Sequence, residues 1–221
     1  MLAGFLEFLR DVSILGAALM AIYGIDEWRR AHVGKRRIDL AEETLAKFYE
    51  VQDALRAIRH PAGFGYEAKT LAQHDSESDE HFAARQELSM IIYRLENPDE
   101  LFRELAAMRY RFAAAFGQNE AEPFNDILKI RSKIISAVHI LPRLRSQPAQ
   151  RYNDPDFVKK VERLDQTIWG GDDDDDELNK SLADAVSRIE KVCRGVIDGE
   201  GSLYAVINYR LPNPFRRNRS Q

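Results

Sequence analysis

A chain of 221 residues is long enough for one well-packed domain plus a membrane segment, and short for two domains. With 44% hydrophobic and 31% charged residues, its composition excludes wholesale disorder and a polytopic membrane protein. A net charge of −4 argues against a dedicated nucleic-acid binder, and no nucleic-acid partner is expected.

Residues 12–25 (VSILGAALMAIYGI) carry no charge and give way at once to Trp28, Arg29, Arg30, Lys35, Arg36 and Arg37. At ~1.5 Å per residue this run reaches only ~21 Å, short of the ~30 Å hydrocarbon core of a bilayer. Phe5, Leu6, Phe8 and Leu9 extend the apolar surface upstream, with Glu7, Arg10 and Asp11 sharing one helical face. Tyr23 and Trp28 suit the headgroup level, and five basic residues against two acidic ones between positions 26 and 37 keep that side inside. The expectation is a single-pass anchor in a bacterial inner (plasma) membrane, amino terminus outside and residues from about 30 onward in the cytoplasm, with the lipid bilayer as partner. The competing expectation is a soluble protein that buries this segment as its central helix. A cleaved signal peptide fits poorly, because the first charge is Glu7 and no A-x-A pattern precedes the basic cluster. Ser13, Ala17 and Ala21 follow Arg10 along one face; small residues at this spacing let helix backbones approach and point to self-association of the anchor.

After the basic flank, Ala41, Thr44, Leu45, Phe48, Val51, Leu55 and Ile58 recur at spacings of three and four, which predicts an amphipathic helix ending near His60, before Pro61. Gly34 decides whether this helix continues the anchor as one rod or hinges from it. Residues 61–79 read as a polar loop. A second helix is expected over 80–96. Asn97 would then cap a third helix, with Pro98 at its first position, running to Gly117. A fourth starts near Pro123 and weakens at Pro142, a fifth covers about 155–169 and a sixth about 177–197. Only residues 202–210 (SLYAVINYR) look β-friendly. The fold class is therefore all-α: an amino-terminal transmembrane helix followed by a cytoplasmic bundle of about five or six helices. The expected organisation is an anchor at 1–28, a flank and juxtamembrane helix at 29–60, the loop at 61–79, the bundle at 80–198 and a basic, proline-containing tail at 199–221.

Candidate chemistry is sparse. Residues 74–81 hold His74, His81 and four carboxylates, yet zinc needs three or four ligands converging from a stable framework. The His74-Asp75 dipeptide resembles that of helical metal-dependent phosphohydrolases of the HD superfamily. The likeness ends there: that family's pair lies on a helix beside further His and Asp ligands, whereas this one lies in an expected loop, and His32, His60 and His139 show no matching order. The acidic run at 172–177 lacks the spacing of a calcium loop and suits the start of a helix. Arg210, Arg216, Arg217 and Arg219 in the tail could contact anionic lipid or an acidic partner. Cys193, the single cysteine, reads as a buried thiol in a reducing compartment.

No P-loop, dinucleotide fingerprint, nucleophile elbow or spaced Cys/His set is present, so no catalytic residue, cofactor or metal is expected. The leading expectation is a membrane-anchored, non-catalytic interaction or regulatory protein that presents its bundle to a protein partner or to its own copies. Two alternatives stand beside it: an effector that perturbs the membrane by oligomerising through its anchor, and a metal-dependent hydrolase using His74, Asp75 and His81.

Overall fold

The computed structural model describes residues 2–62, 70–170 and 175–199; among the first 31 residues it describes the side chains only of Ser13, Ile14, Met20, Ala21, Tyr23, Ile25 and Trp28, with Gly16 and Gly24. All regular structure among these residues is helical: α1 (Leu2–Arg59), α2 (Asp79–Glu87), α3 (Ser89–Glu96), α4 (Asp99–Phe116), α5 (Glu122–Arg145), α6 (Pro155–Trp169) and α7 (Glu177–Ile197), with short 3-10 turns at Asn119–Ala121 and Ala149–Asn153. The all-α bundle expected from the periodicity is what forms.

α1 divides by burial rather than by shape. From Leu40 onward its apolar stripe is covered, and Ala41, Thr44, Leu45, Phe48, Val51, Leu55 and Ile58 are all buried. This half packs against α7, α4, α3 and α6, while α5 lies across α6, α7, α2 and α4. The aromatic centre of the core is Phe48 edge-on to Phe124 at 4.8 Å, with Phe112 5.3 Å from the same ring. α1 and α4 run antiparallel. Arg37 lies over the Phe116 ring at 4.9 Å, the Thr44 hydroxyl donates to Met108 Sδ at 3.4 Å, and Lys47 pairs with Glu104 at 3.0 Å.

Upstream of Gly34 every described side chain of the same helix is exposed. At ~1.5 Å per residue it rises about 57 Å from Leu2 to Leu40, the first buried residue among those whose side chains are described. It passes Gly34 unbroken, so the rod is continuous and Gly34 is not a hinge in this conformation.

Two local expectations need correction. The single helix expected over 80–96 is two, α2 and α3, because Leu88 (φ −92°, ψ 6°) leaves the helical region. Leu88 and Ile91 are both fully buried on either side of the break. Asn97 closes α3 instead of capping the next helix, and Pro98 holds the cap position of α4 with no side-chain hydrogen bond. Pro142 does not end α5, which continues to Arg145; a proline this close to the end removes one backbone donor, and its ring is buried in the core.

Candidate functional site

The exposed half of α1 is the surface that sequence and structure single out together. Its described apolar side chains stand in solvent: Met20 is 79% exposed, Tyr23 69%, Trp28 68% and Ile25 66%. The bundle leaves this stretch uncovered, so the expectation of a buried central helix fails at every described side chain. Trp28 stacks on His32 one turn later, with centroids 5.4 Å apart. Lys35, Arg36 and Arg37 are exposed where the rod meets the bundle. On the small-residue face, Ser13 and Ala21 are exposed, and an added Cβ at Gly24 would meet nothing within 4 Å. The side chains of Arg10, Ala17, Arg29 and Arg30 lie outside the described residues, as do Arg210, Arg216, Arg217 and Arg219 and the β-friendly stretch 202–210. Among the described residues, no helix is long and apolar enough to cross a membrane.

The histidine-rich segment forms a clasp instead of a metal centre. Ser78 caps α2 by accepting the His81 backbone N–H. Glu77 turns inward, its side chain only 3% exposed. Arg85 grips both its carboxylate oxygens, Nε to Oε1 at 2.9 Å and Nη2 to Oε2 at 2.7 Å, and His81 Nδ1 lies 2.5 Å from Oε1. Arg85, with help from the His74 N–H and from His81, holds the Glu77 carboxyl down at about 2 despite its burial. His74 and Asp75 remain exposed. The three residues His74, Asp75 and His81 are not brought together, and among the described residues no group of three or more His, Cys, Asp or Glu side chains is placed to hold a metal ion.

The most connected buried polar group is one the sequence reading overlooked. Arg59, 2% exposed at the end of α1, donates to Asp176 twice, to Asn179 Oδ1, and to the carbonyls of Gln166 and Thr167. It thereby gives the Thr167 carbonyl a donor, adds a second donor to the Gln166 carbonyl that already accepts the Gly170 N–H, and fixes the carboxylate that caps α7. Burial pushes the Asp176 carboxyl up, but the Arg59 hydrogen bonds and the Asn179 and Leu178 N–H groups outweigh it and hold it below the ordinary carboxylate range. Glycine at 170 leaves room for this arrangement: a Cβ there would sit 2.4 Å from Arg59 Nη2 and 2.6 Å from Asp176 Oδ2. The available signal was Arg59 itself, four residues after Leu55 and so on the buried stripe. The acidic run is thus explained at Asp176 by capping; residues 172–174 lie outside the described ones.

Cys193 is fully buried on α7, and burial pushes its thiol up to about 11, far from the range of a reactive nucleophile.

No family model, no curated protein and no solved structure matches this chain.

Proposed function

We propose that this is a membrane-anchored helical interaction protein, without catalytic activity, whose α1 passes from the bilayer into the bundle as one rod. The observation that carries this is the exposure of Met20, Tyr23, Ile25 and Trp28 on a helix that the bundle covers only from Leu40. Apolar residues in a contiguous exposed stretch need a covering phase, and residues 5–25 supply ~31 Å of helix for a ~30 Å hydrocarbon core. Trp28 then falls among the headgroups and Lys35 to Arg37 on the cytoplasmic side. Because α1 is continuous, the bundle stands off the membrane: Leu40 lies ~22 Å along the axis beyond Ile25. A partner would meet a projected, oriented bundle near the bilayer, which suits docking or self-assembly more than chemistry.

The test is alkaline carbonate extraction of membranes carrying the full chain and, separately, the full chain with Leu15→Arg and Leu19→Arg. The expected result is that the first resists extraction and the second is released as a folded protein. Release of the unaltered chain in folded form would overturn the anchor.

A second reading is favoured by the small-residue face, where a Cβ added at Gly24 would meet nothing within 4 Å. Here anchors pair through Arg10, Ser13, Ala17 and Ala21 and perturb the bilayer. Inducing the intact chain should then depolarise cells, while Ala17→Leu with Ala21→Leu should not; equal depolarisation by both would remove this reading.

A further inference from the structure

The basic flank of α1 is split between two faces. At 3.6 residues per turn, Trp28, His32, Lys35 and Asp39 recur at spacings of four, three and four and share one side of the helix, with Arg36 at its edge. Gly34, Arg37 and Ile38 fall on the other side, toward the bundle. Gly34 and Ile38 line a groove with Pro123 of α5 and with Val192 and Val196 of α7, and the Arg37 guanidinium lies over the Phe116 ring. Arg37 is thus engaged by the bundle. Trp28, His32, Lys35 and Arg36 are exposed on the open side, the first two with their rings stacked.

Charge singles out the same turns. Between positions 26 and 37, Asp26 and Glu27 cancel Arg29 and Arg30, so the positive excess lies in Lys35, Arg36 and Arg37. Beyond them the sign reverses: Asp39, Glu42 and Glu43 are exposed, with Glu43 paired to Arg111. A negatively charged surface therefore attracts the rod at 35–36 and repels it from 39 onward, which fixes a depth. We propose that the open face from Trp28 to Arg36 is a seat for the phosphate group of anionic phospholipids, with Lys35 and Arg36 as its cations. The inference rests on α1 being the anchor. With the hydrocarbon ending at Ile25, Lys35 and Arg36 lie about 15–17 Å further along the axis. Helix side chains lean toward the amino terminus, so the long stems of Lys35 and Arg36 carry their charges back toward the headgroups, to within a Debye length (~8 Å) of the phosphates. A zwitterionic headgroup brings its own cation and gains little there, so the occupant is a lipid of net negative charge.

The test uses the full chain carrying Trp169→Phe, which leaves Trp28 as the single tryptophan, reconstituted in phosphatidylcholine vesicles with one quarter phosphatidylglycerol. The acyl chains of one lipid or the other are brominated, and quenching of Trp28 fluorescence reports which lipid sits beside it. Phosphatidylglycerol should be preferred about fivefold or more, the factor that one basic residue contributes at a charged surface. Lys35→Gln with Arg36→Gln should bring the preference to about one. Arg37→Gln, whose charge is held on the bundle side, should change it by less than about twofold. Lipid retained by the unaltered chain through detergent purification should show the same enrichment, so the result does not hang on the Trp169 substitution. Equal quenching by both lipids would overturn the seat and leave the anchor standing, whereas quenching by neither would overturn both. A loss in Arg37→Gln as large as in Lys35→Gln would overturn the assignment to the open face, by showing that the whole flank acts as diffuse charge.

Discussion

Arg59 and Asp176 meet through two hydrogen bonds, Nη1 to Oδ1 at 2.8 Å and Nη2 to Oδ2 at 2.9 Å, across 117 positions of sequence. Through this contact the last residue of the rod helix holds the end of α6 and the start of α7 together. The last residue of α1 is thereby tied to both helices at that end of the bundle.

Removing one partner of such a pair leaves the other charge buried and uncompensated, at a cost of about 3–5 kcal/mol. Arg59→Ala should lose about that much in urea unfolding of the full chain, and Asp176→Asn somewhat less, because the amide oxygen still accepts from Asn179. The two losses should be strongly non-additive in a double-mutant cycle. A loss below about 1 kcal/mol for Arg59→Ala would show that the contact is not holding the helices.

Glu77 makes a distinct prediction in acid. Its carboxyl is depressed to about 2 by Arg85, below its unfolded value near 4.5. A depressed carboxyl contributes stability that is fully present above the unfolded value and lost as pH falls through the folded one. The difference in thermal midpoint between the parent and Glu77→Gln should thus be constant above about pH 5 and shrink toward zero near pH 2. A difference that did not change with pH would mean the Arg85 clasp is not ionic.

Two glycines should respond oppositely to alanine. At Gly34 the helix is regular and nothing lies within 4 Å of an added Cβ, so Gly34→Ala should stabilise the rod by about 0.5–1 kcal/mol. This would be seen as roughly two- to fivefold slower amide exchange at residues 30–38. At Gly117 the backbone has φ +106° and ψ 158°, which side chains rarely adopt, so Gly117→Ala should destabilise the bundle by about 1–3 kcal/mol. Faster exchange in Gly34→Ala would mean that the rod bends there in solution.

The residues that the sequence made legible are those whose pattern follows from one helix alone. The stripe from Ala41 to Ile58 is buried as expected, because a period of three and four is a local property. The break at Leu88 carries no proline or glycine to announce it. Arg59 escaped notice because its partners, Gln166, Thr167, Asp176 and Asn179, are brought to it only by the packing of α6 and α7. Of the candidate site, Tyr23, Trp28 and Lys35 to Arg37 are found exposed on the rod. Arg10, Ala17, Arg29, Arg30 and the tail arginines lie outside the described residues.

Cys193 offers a direct probe of the Arg59–Asp176 clasp, the paired hydrogen bonds between those two side chains. Its thiol is fully buried and raised to about 11, so the folded chain presents neither access nor thiolate at pH 8. A raised thiol contributes stability present below its ordinary value and lost only as pH rises through about 11, which keeps the probe silent at neutral pH. Alkylation at pH 8 must then follow opening of α7, and the folded chain should react at least about a thousandfold more slowly than the urea-unfolded one. Because Asp176 caps α7 and Arg59 holds Asp176, Arg59→Ala should raise the labelling rate by the factor its equilibrium loss implies, about a hundredfold for ~3 kcal/mol. Matching factors would place Arg59 in the cooperative core. Labelling that accelerates much less than the equilibrium loss would mean that α7 stays closed around Cys193 when the clasp is cut, and that Arg59 secures only the end of α6.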